Sequence, residues 1–457
     1  LMKGIRRIQP GSWRFYTGNV PFREKTYYQP YADKLAPQSP YPAKHQITNF
    51  RSIFDQAVKL SLRSDVPVGL FLSGGIDSAL IAESAVRQGR LREAYCLDFT
   101  ESEFSEWGTA KLVADHLGLT LHRVGLSSHD LVNFMDIVEY ADDPLADSSA
   151  LPLWILAKEA SRNIKVVLSG DGGDEFFAGY LTFQASLLHK KFLVPLPSFL
   201  KTLLSHLALR IPTHEGKVSL SYQLMRFLRS ATFPTGQAHF TWNGTWLPHE
   251  LFKLLQVPHN SEAFSVLEKL ANKHSLSKEI KLLNLQLSDV MDYLPNDILT
   301  KIDRMSMAHG LEVRAPLLNP QVAEFGLSLP DFHKIGLLGK PKRFLREVAS
   351  SIFGSSFANA KKQGFSIPIH RWLKTPIGKE LLQDLLSYQA LSELGIFDAK
   401  TIISAKDKHL SGKRSLGFEL WGLMVFMAWY RKRALKKPGL HTSDIPPSLV
   451  HVKAPSS

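Results

Sequence analysis

A single cysteine in 457 residues leaves no intramolecular disulfide framework and no CxxC pair for a metal or a dithiol. That residue, Cys96, sits in the apolar run "EAYCLDF" and reads as a small core hydrophobe rather than a nucleophile. Long hydrophobic runs are scarce too. "FELWGLMVFMAWY" (Phe418 to Tyr430) carries Glu419 and falls short of the ~20 residues that cross a bilayer, so a buried C-terminal helix is expected and no membrane span. No secretory signal pattern opens the chain, and a cytoplasmic setting is the expectation. No Gly-Lys-Ser/Thr element is present, which excludes the lysine-bearing phosphate loop. Basic residues outnumber acidic ones, 55 to 42, for a net charge of +13. They are dispersed, with no Arg-rich block and no Lys run interleaved with aromatics. That pattern argues against nucleic acid and for a solvated basic face or a site for small polyanions.

What is present is a globular composition, 44% hydrophobic and 21% charged, in a chain long enough for two or three domains. Residues 1–44 read as loop-rich, with turn and linker signals in "QPGSW", "YYQPY" and "APQSPYPAK". An amphipathic helix from Ile47 to about Ser64 leads into a strand at Val66. Strand and helix patterns then alternate: "EAYCLDF" and "TLHRVGL" as strands, "SEWGTAKLVADHLG", "HDLVNFMDIVEYA" and "ALPLWILAKEAS" as helices, "IKVVLSG" as a further strand. Such alternation predicts an α/β fold with a doubly wound parallel sheet, whose ligands bind beyond the carboxyl ends of the strands. Residues 181–281 change to basic, Pro-punctuated helices. They read as a helical insertion packed on the sheet in preference to helices lying on a membrane surface. The remainder to about Ala434 is mostly helical, and the tail 435–457 reads as disordered.

Two strand ends carry the chemistry. In "VPVGLFLSGGIDSAL" an apolar strand stops at Ser73, two glycines follow, and Asp77 and Ser78 open a helix that Gly89 can end. Glycines admit close backbone approach, and unpaired N–H groups at a helix start favour an anion. An ordinary capped turn would look similar, but a carboxylate beside phosphate is tolerated only with a cation between them, so the pattern suggests phosphate plus magnesium. "VVLSGDGGDEFFAGY" repeats the logic: a buried strand, small turn residues, then Asp171, Asp174 and Glu175, acids that repel one another unless a cation compensates. Asp77 on one loop and Asp174 on the other can hold one Mg²⁺ between them.

These elements, with "YLPNDILTKIDRMSMAHGLEVRAPLLNP", "KRFLRE" and "KKQGFSIPIHRWL", closely resemble the synthetase domain of glutamine-dependent asparagine synthetases, a branch of the PP-loop (N-type) ATP pyrophosphatases. The resemblance covers roughly residues 45–434, in the family's order. The SGG-x-DS element alone would also admit GMP synthetase, NAD synthetase or tRNA thiolation enzymes, the last generally needing cysteine pairs that are absent here. "LMKGIRRIQPGSW" with "YYQPY" looks like the end of the family's glutaminase domain, so residues 1–44 are expected to be its remnant plus a linker, and the chain a fragment.

The resemblance implies an adenine nucleotide alpha hydrolase-like fold with a large helical insertion. It also implies an activity: joining the aspartate side-chain carboxylate to the α-phosphate of ATP with release of pyrophosphate, then amination by ammonia (from glutamine in the full enzymes) to asparagine and AMP. On this basis Leu72, Ser73, Gly74, Gly75, Asp77, Ser78, Asp98, Ser169 and Gly170 would bind ATP and pyrophosphate. Asp77 and Asp174 would bind Mg²⁺, Lys342 would contact the phosphates with Arg346 on the same side, and Asp171 would position the acyl-adenylate or take a proton. Asp303–Arg304 is expected as a buried ion pair and Glu312–Arg314 as a second. Where the family usually has "RVPFLD" this chain has "RAPLLN", with Leu317 for an aromatic and Asn319 for an acid. Rival expectations are an amidotransferase or cyclase adenylating another carboxylate, on a cell-surface sugar or a peptide, and a catalytically dead binding scaffold. A homodimer is the candidate assembly.

Overall fold

The computed structural model describes residues 7–18, 20–29, 43–211, 220–256, 281–337, 339–360 and 367–435. Its centre is a five-stranded, all-parallel sheet of β3 (Val68–Phe71), β4 (Glu93–Phe99), β5 (Thr120–Leu126), β6 (Val166–Leu168) and β7 (Glu312–Arg314), in the spatial order β5-β4-β3-β6-β7. The chain winds outward from β3 through β4 to β5, then returns to β3's other side for β6. The strand order therefore reverses between β3 and β6, the place where α/β sheets open a crevice at their carboxyl ends. The two glycine loops follow these two strands.

Both faces of the sheet are covered, which is why its strands read as continuous apolar runs. Side chains of β4 alternate: Ala94 and Cys96 face a core built with helices Ala43–Ser61, Ile76–Arg87, Trp107–Leu117 and Arg343–Ala358. Tyr95, Leu97 and Phe99 face a second core with Ala150–Ala160, Leu299–Met307 and Gly417–Leu435. Burial pushes the Cys96 thiol pKa up, as suits a core residue. Phe50 lies at the heart of the first core, its ring centroid 5.6 Å from Phe177 and 5.4 Å from Phe344. This cluster locks the segment after the second loop against the start of the helix that follows Lys342.

Two expectations need correction. The segment read as loop contains an antiparallel hairpin, β1 (Ser12–Thr17) with β2 (Val20–Thr26), turned at Gly18 with φ +66°. The alternation of Trp13 and Phe15 with polar neighbours carried that signal. The mostly helical remainder includes a π-helical stretch, Asp289–Ile298, that runs into the helix Leu299–Met307. Pro295 inside it lacks an N–H and crowds the preceding turn, which widens the winding. Asp303 and Arg304 are not a buried pair: they stand 3.8 Å apart at the surface, and Arg304 reaches Asp142 at 2.9 Å. Glu312 and Arg314 do pair, at 2.7 Å, and Arg314 Nη1 also donates to Ser61 O at 3.0 Å.

The region after Leu181 is helical where described, with Leu181–Leu188, Ser198–Ala208, Leu220–Arg229, Thr235–Asn243 and Pro248–Leu254. The tail beyond Leu435 and "KKQGFS" (residues 361–366) lie outside the described residues.

Candidate active site

Loop one is shaped by contact with its neighbours. Gly74 has φ +70°, and a Cβ there would stand 2.6 Å from Ala110 N, so neither the backbone twist nor the space admits a side chain. Gly75 precedes the helix Ile76–Arg87, whose open N–H groups face the loop. Ser73 Oγ accepts from Gly75 N at 3.3 Å and lies 3.2 Å from Ser78 Oγ, which holds both hydroxyls at the helix start.

Loop two presses against loop one. A Cβ on Gly170 would be 3.0 Å from Asp77 Cβ, and one on Gly173 would be 2.7 Å from Asp77 Cγ. Ser169 N continues the sheet by donating to Arg314 O at 2.9 Å. Asp174 lies in the short helix Gly173–Phe176, and Gly179 leaves room where a Cβ would sit 1.9 Å from Asp174 Oδ1.

Lys342 closes the junction. It precedes the helix Arg343–Ala358 in a left-handed conformation, φ 57° and ψ 38°, an uncommon state for a non-glycine residue that the Phe344–Phe177 packing supports. Its buried Nζ stands 2.8 Å from Asp174 Oδ1 and also hydrogen-bonds Asp77 Oδ2. Burial works against the ammonium, but Asp174 and Asp77 outweigh it and raise its pKa. Asp77 Oδ1 is buried with no hydrogen-bond partner. Two facing carboxylates that already collect a cation, with one oxygen unspent, suit Mg²⁺, which takes one or two protein carboxylates and completes its shell with phosphate and water. Among the described residues no group of three acidic, His or Cys side chains forms a fuller metal cage.

A cavity of 460 Å³ opens over this junction. Leu72, Ser73, Gly74, Gly75, Asp77, Ser78, Ser169, Gly170, Asp171, Asp174, Lys342 and Arg346 all line it. Asp98 does not. Strand alternation turns Leu97 to the cavity and Asp98 to the other side, where it accepts from Arg123 Nε at 2.5 Å and from Ser105. Leu317 is buried in the core, and Asn319 caps the helix Pro320–Ser328 by accepting from Gln321 N at 3.0 Å, so the "RAPLLN" departure is scaffolding.

Sequence reasoning missed the far wall. Lys301, buried, hydrogen-bonds Asp147 Oδ2 at 2.5 Å and Ser149 Oγ at 2.8 Å. Burial opposes the Lys301 charge but Asp147 and Asp297 raise its pKa, whereas burial and then Asp147 push Asp297 up to about 7. Burial also raises Asp171, and pushes Glu175 up to about 8 with Asp174 adding to it, while Tyr180 Oη donates to Glu175 at 2.7 Å. The i, i+4 spacing of Asp297 and Lys301 was the available signal. Asp147 comes from a distant loop that no local pattern connects to them. The cavity thus has a glycine-lined end, where Asp77 and Asp174 meet Lys342 and Arg346, and a second end of the half-buried Asp147, the buried Glu175 and Lys301, and two tyrosines.

A parallel α/β sheet with two glycine loops meeting at its strand-order reversal, joined through Asp77, Asp174 and Lys342, defines a protein of the ligand-binding α/β class. The sequence family is specific: the asparagine synthase family model matches residues 49–431, and the chain belongs to that family. It is 30% identical over 435 residues to asparagine synthetase [glutamine-hydrolyzing] 1 of Bacillus subtilis, covering 93% of this chain and 65% of the relative. A putative asparagine synthetase [glutamine-hydrolyzing] of Mycobacterium tuberculosis is 28% identical, over 94% of this chain and 64% of the relative. Amidase chyE of Penicillium rubens is 25% identical, over 91% of this chain and 66% of the relative. The chain spans about two thirds of the length of these relatives.

Proposed function

We propose that this chain is an ATP-dependent, amide-forming ligase with a PP-loop fold that activates the aspartate side-chain carboxylate and aminates it to asparagine. A carboxylate oxygen attacks the α-phosphorus of ATP, the bond to the β-phosphate oxygen breaks, and pyrophosphate leaves. The nitrogen of ammonia then attacks the acyl carbon, the bond to AMP breaks, and the surplus proton passes to a base. The observation that carries the reading is the meeting of Asp77, Asp174 and Lys342 over the helix start at Gly75. Backbone N–H groups after Gly74 receive the diphosphate, and Lys342 neutralises its charge as the bond breaks. Asp77 and Asp174 would hold Mg²⁺, which supplies further neutralisation of the leaving diphosphate. Asp171, whose pKa burial raises, stands on the same wall and is the candidate to position the acyl group or accept the ammonia proton. Leu72, Ser73, Ser78, Ser169 and Gly170 contribute the remaining nucleotide contacts.

The test is ATP–pyrophosphate exchange with magnesium, aspartate set against a panel of carboxylates. Exchange driven by aspartate and completed to asparagine by ammonium supports the reading, and no exchange with any carboxylate removes it. A second reading keeps the adenylation and changes the acceptor. Two fungal relatives named as amidases favour it, each 25% identical across most of the chain. Exchange with another member of the panel but not with aspartate would select it.

A further inference from the structure

The insertion carries a surface that the ligase reading leaves unused. Between Glu175 and Glu215 the sequence holds no acidic residue, while Lys190, Lys191, Lys201 and Arg210 fall within it. The helix Ser198–Ala208 places Phe199, Leu203 and Leu207 at i, i+4 and i+8, one face of a helix, and they are 70%, 51% and 43% exposed. Phe192 and Val194 before the helix and Leu209 at its end are exposed apolar residues as well. Lys201 Nζ donates to Val194 O at 2.7 Å, which ties the loop to the helix, and Lys191 lies over the Phe192 ring at 5.4 Å.

The platform beneath is fixed. The opposite side of the helix docks through buried Ala208 and through Ser205, whose Oγ donates to Arg229 O at 3.2 Å. His189, fully buried, pairs with Thr235 at 3.0 Å and Ser230 O at 3.2 Å, anchoring the preceding turn. The helix that packs on this one adds exposed Leu220 and Leu224. An apolar face of this kind, held outward by pinned neighbours and carried on a stretch whose only formal charges are positive, is the pattern of an interfacial amphipathic helix. Eleven residues of helix rise only about 16 Å, too short to cross a bilayer, so the helix would lie in the plane of the interface.

We propose that this face docks the protein on an anionic lipid bilayer, with Phe199, Leu203 and Leu207 entering the headgroup–acyl boundary and the lysines and Arg210 meeting lipid phosphates. Anionic lipid is favoured as occupant over a protein groove because the stretch that carries the face, residues 176–211, offers cations without an acid, whereas protein interfaces generally interleave both signs.

The experiment is sedimentation of the whole chain with vesicles of phosphatidylcholine alone and of equimolar phosphatidylcholine and phosphatidylglycerol, alongside light scattering. Binding to the anionic vesicles, weakened by salt and reduced about tenfold or more by Phe199→Glu with Leu203→Glu, supports the proposal. Lys190→Glu with Lys191→Glu should weaken it too, and both pairs should keep the parent's circular dichroism and ATP–pyrophosphate exchange. No binding to anionic vesicles overturns the proposal, as does equal binding by the Glu variants. An oligomer that the same substitutions dissociate, without vesicle binding, also overturns it and assigns the face to a second copy.

Discussion

Lys342 Nζ stands 2.8 Å from Asp174 Oδ1 and bonds Asp77 on its other side, so one ammonium joins the tips of two loops far apart in sequence. Removing it leaves two buried-facing carboxylates in mutual repulsion as well as depriving a diphosphate of its counter-charge. Lys342→Met is expected to lower ATP–pyrophosphate exchange at least about a hundredfold. It should also lower the Tm, since the two carboxylates then face each other with no cation between them. Added magnesium should recover part of that Tm, because the vacated place between the acids then suits a divalent cation. Melts with and without magnesium, beside the exchange assay, measure all three. Exchange at the parent rate would remove Lys342 from the phosphate site.

Gly179 is where the pocket has no slack. A Cβ there would lie 1.9 Å from Asp174 Oδ1 and 2.1 Å from Lys342 Cε, displacing both partners at once. Gly179→Ala should destabilise by more than about 2 kcal/mol and lose most exchange activity. Gly89→Ala is the control. Gly89 has φ +72° with nothing within 4 Å of its missing Cβ, so only the left-handed backbone cost of about 1 kcal/mol remains. Denaturant titration separates the two effects. Equal losses would show that the crowding at Gly179 relaxes freely.

The parallel strands were legible because burial on both faces writes a continuous apolar run: β4 and β5 coincide with "EAYCLDF" and "TLHRVGL". The meeting of the two glycine loops at one end of the cavity was legible too, since glycines and acids placed directly after such strands leave few other arrangements. The far wall was not. Asp147, Tyr293 and Lys301 come from two segments that a long crossover separates, and the π-helical winding around Pro295 turns Tyr293 to the cavity and leaves Asp297 out of its lining. The hairpin β1–β2 was hidden by the turn-forming residues around it.

Asp98 tests strand alternation against motif matching. It follows Leu97, which lines the cavity, and its carboxylate is spent on Arg123 and Ser105 across a different surface. Asp98→Asn should leave ATP affinity and exchange within about twofold of the parent, with a stability loss below about 1 kcal/mol for a partly exposed ion pair. Leu97→Asp, which aims a carboxylate at the nucleotide end, should weaken ATP binding far more. A large rise in the ATP KM from Asp98→Asn would return that residue to the site.

Glu419 gives the fold a pH dependence of known sign. It is buried in the C-terminal helix Gly417–Leu435, Oε2 has no hydrogen-bond partner, and burial pushes its pKa up to about 7. Its ordinary value is near 4.5, so between about 4.5 and 7 the folded protein binds this proton more tightly than the unfolded chain. Stability from this group is therefore complete at low pH and is lost as pH rises through that window, by at most about 3 kcal/mol at pH 8. Glu419→Gln keeps the shape without the ionisation. Its Tm advantage over the parent should be small near pH 5, grow up to about pH 7, and then level off. A gap that stays constant over this range would mean that Glu419 titrates in the folded protein as it does in the unfolded chain, its charge neutralised by Arg226 and Arg414, the cations that lower its pKa.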